Sequence, residues 1–407
     1  FVLLVATILP IYFNYLAELG GLSEVDYMAY WGYAASISTL LVAVIGPIFG
    51  TLADTKEYKK PIFIISMMVG VLGCAVLSVP TSWVIFLAVF VVAKVGYSAS
   101  LIFYDSMLTD VTTPERMDMV SSQGYAWGYI GSCIPFAGCL ALVLGSSALG
   151  LSMVTAMGLS LGISMTTAMA IAFVLNALWW VGVTIPLLKT YRQIHHVETQ
   201  GTHVMRESLG RLVHAFRDLK GHKNILVFLI AFFFYIDGVY TIIEMATAYG
   251  SALGLDTQGL LLALLLTQIV AFPFSILFGV LAKRYRTDKL IGMCILAYTG
   301  IAIFAIQLDK QWEFWVLAVF VGMFQGGVQA LSRSYFARII PPEKSGEFFG
   351  IYDICGKGAS FMGTALMGLF AQITGKPGGG VAILAVMFLI GYVLFRKAAA
   401  MNASKFQ

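Results

Sequence analysis

Twelve apolar stretches, most of them separated by short connections, take up most of the chain. They run over about 1–18, 28–52, 61–80, 83–108, 122–145, 164–188, 224–247, 257–282, 289–308, 312–337, 348–373 and 379–397. A helix needs roughly 20 apolar residues to cross a bilayer core about 30 Å thick, and these runs match that length. The runs are continuous rather than alternating, so they predict helices and not the short strands of a closed barrel. The pattern therefore predicts an all-α membrane protein with twelve transmembrane helices.

The second half of the pattern repeats the first. Leu87-Ala88-Val89-Phe90-Val91 recurs as Leu317-Ala318-Val319-Phe320-Val321, Gly50-Thr51-Leu52-Ala53 as Gly279-Val280-Leu281-Ala282, and Pro114-Glu115 as Pro342-Glu343. All three lie 228–230 residues apart and in the same order. Two parallel six-helix pseudo-repeats follow, an arrangement found in transporters. The expected division is a bundle over 1–188, a linker over 189–223, and a second bundle with its tail over 224–407. Inside the linker Met205, Leu209, Leu212, Val213, Phe216 and Leu219 recur at helical spacing. Arg206, Arg211, Arg217 and Lys220 fill the other face. That is the pattern of a basic amphipathic helix on the cytoplasmic leaflet.

Composition narrows the class. Of 407 residues, 59% are hydrophobic and 11% charged, with a net charge of +4. Soluble domains carry about 25% charged residues, so too little polar surface exists to cover a globule. The positive balance is not a nucleic-acid signal, because Lys and Arg cluster in alternate loops. One set holds Lys56, Lys59, Lys60, Arg116, the stretch 189–223, Lys283, Arg284, Arg286, Lys289, Arg338, Lys344, Arg396, Lys397 and Lys405; the other holds Lys310 and Lys376. The basic set predicts the cytoplasmic side, with both termini on it. Cys74, Cys133, Cys139, Cys294 and Cys355 lie in apolar spans at unrelated spacings, which reads as buried thiols. The five His residues, all within 189–223, are irregularly spaced and lack a Cys or carboxylate set, so no metal is expected. No nucleophile–His, phosphate-loop or cofactor constellation stands out, so no enzyme and no cofactor is expected either. The chain starts at Phe1 rather than Met, and the first helix is expected to begin before it.

Seven charges lie inside the spans and away from their end residues: Lys94, Asp105, Asp237, Glu244, Arg333, Asp353 and Lys357. A charge at bilayer depth costs at least a few kcal/mol and needs a partner, water or a role. Lys94 has about eleven apolar-span residues on each side, too far to snorkel. Asp353 and Lys357 stand at i,i+4 and are expected to pair, with Arg333 as a third member. Gly46, Gly50, Gly124, Gly128, Gly131, Gly322 and Gly326 form small-residue faces that let helices approach.

The segment Gly50-Thr51-Leu52-Ala53-Asp54, followed by Lys59-Lys60, resembles the gating motif of the major facilitator superfamily. The block Gly326-Gly327-Val328-Gln329-Ala330-Leu331-Ser332-Arg333-Ser334, then Pro341, Glu347-Phe348-Phe349-Gly350 and Lys357, is more specific. With Tyr235-Ile236-Asp237-Gly238-Val239 it resembles the fungal vacuolar amino-acid effluxers linked to autophagy and their bacterial relatives. The resemblance spans essentially the whole chain. It implies the major facilitator fold and helices one, four, seven and ten around a central cavity. It also implies a cytoplasmic gate at Gly50, Asp54, Lys59 and Lys60. The Asp353–Lys357 pair, from its spacing, is expected to be a gating or structural ion pair.

Function is then expected to be secondary active transport by alternating access. Lys94 could hold a carboxylate, and Asp237 or Glu244 an ammonium. Asn14, Tyr12, Tyr240, Gln325 and Gln329 could supply neutral hydrogen bonds, with Asp105 and Arg333 at the cytoplasmic end. Charges of both signs suit a zwitterion such as an amino acid. A buried carboxyl that binds and releases a proton would couple transport to a proton gradient. The alternative is an exporter of hydrophobic or cationic compounds or lipids. Expected partners are a small-molecule substrate, the bilayer and protons, with no nucleic acid, for a monomer. The expected place is the cell membrane, or a vacuolar or other internal membrane in a fungus.

Overall fold

The computed structural model describes residues 5, 8–79, 82–144, 165–198 and 222–403. Twelve long helices follow in order. They are α1 (Leu9–Leu19), α2 (Glu24–Ala53), α3 (Lys59–Val76), α4 (Trp83–Ser106), α5 (Met117–Leu144) and α6 (Met165–Thr190). Then come α7 (Lys223–Ala252), α8 (Thr257–Leu281), α9 (Thr287–Ala305), α10 (Gln311–Ile339), α11 (Ser345–Thr374) and α12 (Pro377–Met401). A single helical turn, Leu108–Val111, extends α4. Among the described residues there is no strand, only an isolated parallel bridge between Thr55 and Val197. Ten of these helices, all but α1 and α5, are long and apolar enough to cross a membrane. Helices are the expected solution, since a lipid-exposed backbone must bond within its own segment.

Every predicted span is present as a helix among the described residues. Several helices continue past the apolar run at the end that carries the basic loops: α5 starts at Met117 and α11 at Ser345. Apolar length reports bilayer depth alone, so polar turns that are bonded by other helices are not marked by it. The predicted amphipathic helix over 205–220 lies outside the described residues.

By packing, the chain forms two compact units. The first holds 1–45, 60–101 and 131–192; the second holds 46–59, 102–130 and 193–407. In the first, aromatic rings join three helices: Phe13 stacks on Trp31 (5.6 Å), Trp31 on Phe90 (4.4 Å), and Tyr12 meets Phe86 edge-on (5.5 Å). α3 and α4 approach closely at Gly73, where an added Cβ would stand 2.7 Å from that of Ala93. In the second, Phe228 and Phe232 of α7 stack against Tyr335 and Tyr352. Phe336 of α10 stacks on Tyr352 of α11 (4.8 Å). Offset aromatic pairs of this kind add about 0.5–1.5 kcal/mol beyond area burial.

Candidate functional site

The second unit brings segments from the first sequence half, 46–59 and 102–130, against helices of the second half. Their meeting points are polar. α11 begins at Ser345, and the first N–H groups of any helix lack intrahelical partners. Asp54, just past the end of α2, supplies them. Its Oδ1 accepts the Gly346 N–H (2.7 Å) and its Oδ2 the Glu347 N–H (2.9 Å). A carboxylate at this end of a helix is favoured by the dipole as well. Lys59 is fully buried among these groups. Its Nζ lies 3.3 Å from Asp110 Oδ2 and 3.8 Å from Asp54 Oδ1, and donates to Ser345 Oγ (2.8 Å). Buried ions need this density of partners to offset desolvation.

Glycine makes that approach possible. A Cβ on Gly50 would stand 2.3 Å from the Gly346 carbonyl oxygen, and one on Gly350 would stand 2.9 Å from that of Gly46. Two Gly-x₃-Gly faces, Gly46/Gly50 on α2 and Gly346/Gly350 on α11, therefore cross backbone to backbone.

A second cluster surrounds Arg333 of α10, which is buried. Its Nη1 donates to Asp105 Oδ1 (2.7 Å), its Nε to Ser121 Oγ (2.9 Å) and its Nη2 to the Ser121 carbonyl (3.0 Å). The guanidinium also lies over Tyr125, 4.6 Å from the ring centre, a cation–π contact. Arg333 thus turns to Asp105 and not, as the spacing suggested, to the pair on α11. That pair does form: Lys357 Nζ is 2.6 Å from Asp353.

A third cluster closes one turn further along. Asp118 of α5 pairs with Arg338, accepts from Thr287 Oγ1 (2.7 Å), and accepts from Ser334 Oγ. Nearby Arg286 pairs with Asp288 (3.0 Å), whose carboxylate pushes the Arg286 pKa above its usual value.

Asp237 stands apart from these pairs. It is fully buried on α7. Its Oδ1 accepts the Gly363 N–H of α11 (3.0 Å) and Thr241 Oγ1 (3.3 Å), while Oδ2 has no partner among the described residues. Only glycine allows this contact, because a Cβ at 363 would lie 2.4 Å from Oδ1.

The remaining candidates are placed as follows. Gln329 accepts from Tyr129 Oη (3.0 Å), and Gln325, one turn away, is buried. Tyr240 is half-buried and its ring faces Gly356. Glu244 is exposed and Lys60 half-buried. In the first unit, Lys94 is half-buried with Nζ 5.8 Å from the Phe90 ring centre. Tyr12 is packed against Phe86 and Phe173, and Asn14 is half-buried.

Sequence reasoning did not name Asp110, Asp118, Ser121, Thr287, Ser345 or Gly346. One signal was available. Pro341-Pro342-Glu343 before Ser345-Gly346-Glu347 has the form of a helix start, which places free N–H groups there.

The comparisons agree with the architecture. A family model described as "Vacuole effluxer Atg22 like" matches residues 14–405. An uncharacterized MFS-type transporter, YxiO of Bacillus subtilis (strain 168), is 38% identical over 397 residues, covering 97% of this chain and 90% of that protein. Autophagy-related protein 22 of Coccidioides immitis (strain RS) is 22% identical, covering 90% and 72%. Among solved structures, FucP, a major facilitator superfamily transporter in the outward conformation, matches with TM-score 0.68 at 14% identity, covering 97% of each chain. The proton:xylose symporter XylE matches with TM-score 0.68 at 12% identity, covering 97% of this chain and 94% of that one. Those two likenesses are of fold. The family model over residues 14–405 and the 38% identity to the MFS-type transporter YxiO establish that the chain belongs to the Atg22-like effluxer family of major facilitator superfamily transporters.

Proposed function

We propose that this transporter moves a small zwitterionic solute, an amino acid or close analogue, by alternating access driven by protons. One observation carries the reading. At the basic-loop end the two sequence halves are joined by several ionic or hydrogen-bonded contacts: Asp54 to Gly346 and Glu347, Lys59 to Ser345, Asp105 to Arg333, Asp118 to Arg338. Groups of this kind exchange their partners for water when a path opens, whereas a greasy seal would expose apolar surface. In this reading Gly50, Asp54, Lys59 and Lys60 form the gate, within halves 1–188 and 224–407 joined by 189–223.

Asp237 is the proposed coupling group. A buried carboxylate without a cation is costly, and taking up a proton removes that cost. Tyr240, Gln325 and Gln329 are proposed substrate contacts. The name of the matched family, vacuole effluxer, supports export of a solute, and the proton symport of XylE gives a precedent in the same fold.

The test is transport by purified protein in liposomes under an imposed pH gradient, with labelled amino acids. Accumulation that collapses with a protonophore, and that Asp237→Asn abolishes while solute exchange persists, is expected. Intact accumulation in both Asp237→Asn and Glu244→Gln overturns coupling through these groups. Transport of lipophilic cations or lipids in place of amino acids favours the exporter reading.

A further inference from the structure

We propose that the segment Gln193–Val197, just after α6, is a positioning strap that holds Asp54 in place to cap α11. This rests on the gate described above. The strap is bonded all along one side. Gln193 Nε2 donates to the carbonyls of Ala53 (3.1 Å) and Thr55 (3.2 Å), and its Oε1 accepts the Lys59 N–H (3.4 Å). The N–H groups of Ile194 (3.2 Å) and His195 (2.8 Å) both donate to Asp110 Oδ1, which also lies 3.2 Å from His195 Nδ1. The Val197 N–H donates to the Asp54 carbonyl (2.7 Å), and Val197 forms a parallel bridge with Thr55.

Two features make this a positioning device and not ordinary loop packing. First, apart from bonds within itself, the strap's bonds go to residues 53–59 and to Asp110, and none goes to Ser345, Gly346 or Glu347 among the described residues. It therefore acts on the cap through its partners. Asp110 divides its oxygens accordingly: Oδ1 faces the strap and Oδ2 faces Lys59. Second, the loop it clasps contains a residue in a disfavoured conformation. Glu57 has φ +67°, a left-handed conformation that disfavours side chains other than Gly, Asn or Asp. A residue held so stays there only when neighbours over-determine it. Gln193, by bonding both Ala53 and Thr55, spans the step on which Asp54 stands.

Amide hydrogen exchange in the full-length protein provides the test, with D₂O as the probe. In Gln193→Ala, exchange at Gly346 and Glu347 should rise about tenfold, although Gln193 touches neither, while interior amides of α9 keep their protection. Thr55→Cys with Val197→Cys, added to Gln193→Ala, should restore protection when oxidised and lose it on reduction. A bridged pair lies within disulfide reach. Unchanged exchange at Gly346 and Glu347 in Gln193→Ala overturns the proposal. So does a rise that the disulfide does not reverse. Should Gln193→Ala fail to fold, the cysteine pair in the otherwise natural chain must slow exchange at Gly346 and Glu347 on oxidation; no change there also overturns it. Exchange that responds as expected, with normal transport by Asp54→Ala, supports the strap and overturns the gate on which it rests.

Discussion

Lys59 shows what one residue can reveal and hide. Its neighbours Asp54 and Lys60 made it a candidate by sequence, yet nothing in its spacing named Asp110, some fifty positions on, or Ser345 in the other half. Long-range partners become visible only when the helices are packed. The same holds for Arg333: its charge at bilayer depth was legible, its choice of Asp105 over Asp353 was not. Lys59→Met should be costly, because it removes the buried ammonium that Asp54 and Asp110 share. Loss of one member of a buried pair costs about 3–5 kcal/mol, so a clear fall in thermal midpoint is expected. Adding Asp110→Asn should recover part of that loss, since the two sites are coupled. Additive losses in thermal denaturation would mean that the pair does not interact.

At the scale of elements, the apolar period located all the spans and missed several ends. α5 begins at Met117, ahead of its apolar run, because Asp118 and Ser121 are bonded by Arg338 and Arg333. Hydropathy has no term for such bonds. The small face at Gly46 and Gly50 was legible; its mate at Gly346 and Gly350 was not, as a single chain does not say which helices cross. Gly50→Ala tests that crossing. Its methyl would overlap the Gly346 carbonyl, so α2 and α11 must part and the Asp54 bonds must lengthen. A loss of about 1–3 kcal/mol is expected for such overpacking, read as a lower unfolding midpoint in liposomes. Gly128→Ala, where an added Cβ meets nothing within 4 Å, should leave the midpoint in place.

For the whole molecule, the repeat and the alternation of basic loops set the expected topology. The family match covers both halves, residues 14–405. Orientation rests on the loop charges, and it can be checked directly. A membrane-impermeant thiol reagent should label Tyr58→Cys and Tyr285→Cys only from the cytoplasmic side, since both positions are exposed at the basic end. Lys376→Cys, between α11 and α12, should react only from the opposite side. The reverse pattern would invert the proposed direction of every gate described above.

The crossing of α2 and α11 has one more consequence. Immobilising a long side chain costs up to about 2 kcal/mol of rotamer freedom, and glycine has none to lose. At Gly46, Gly50, Gly346 and Gly350 two bare backbones touch, so in the proposed gate each closure would leave no rotamers there to be sorted and each opening would release none. A joint of that kind would part without freeing or freezing side chains of its own, and the polar contacts of Asp54 and Lys59 beside it would then set how firmly it holds.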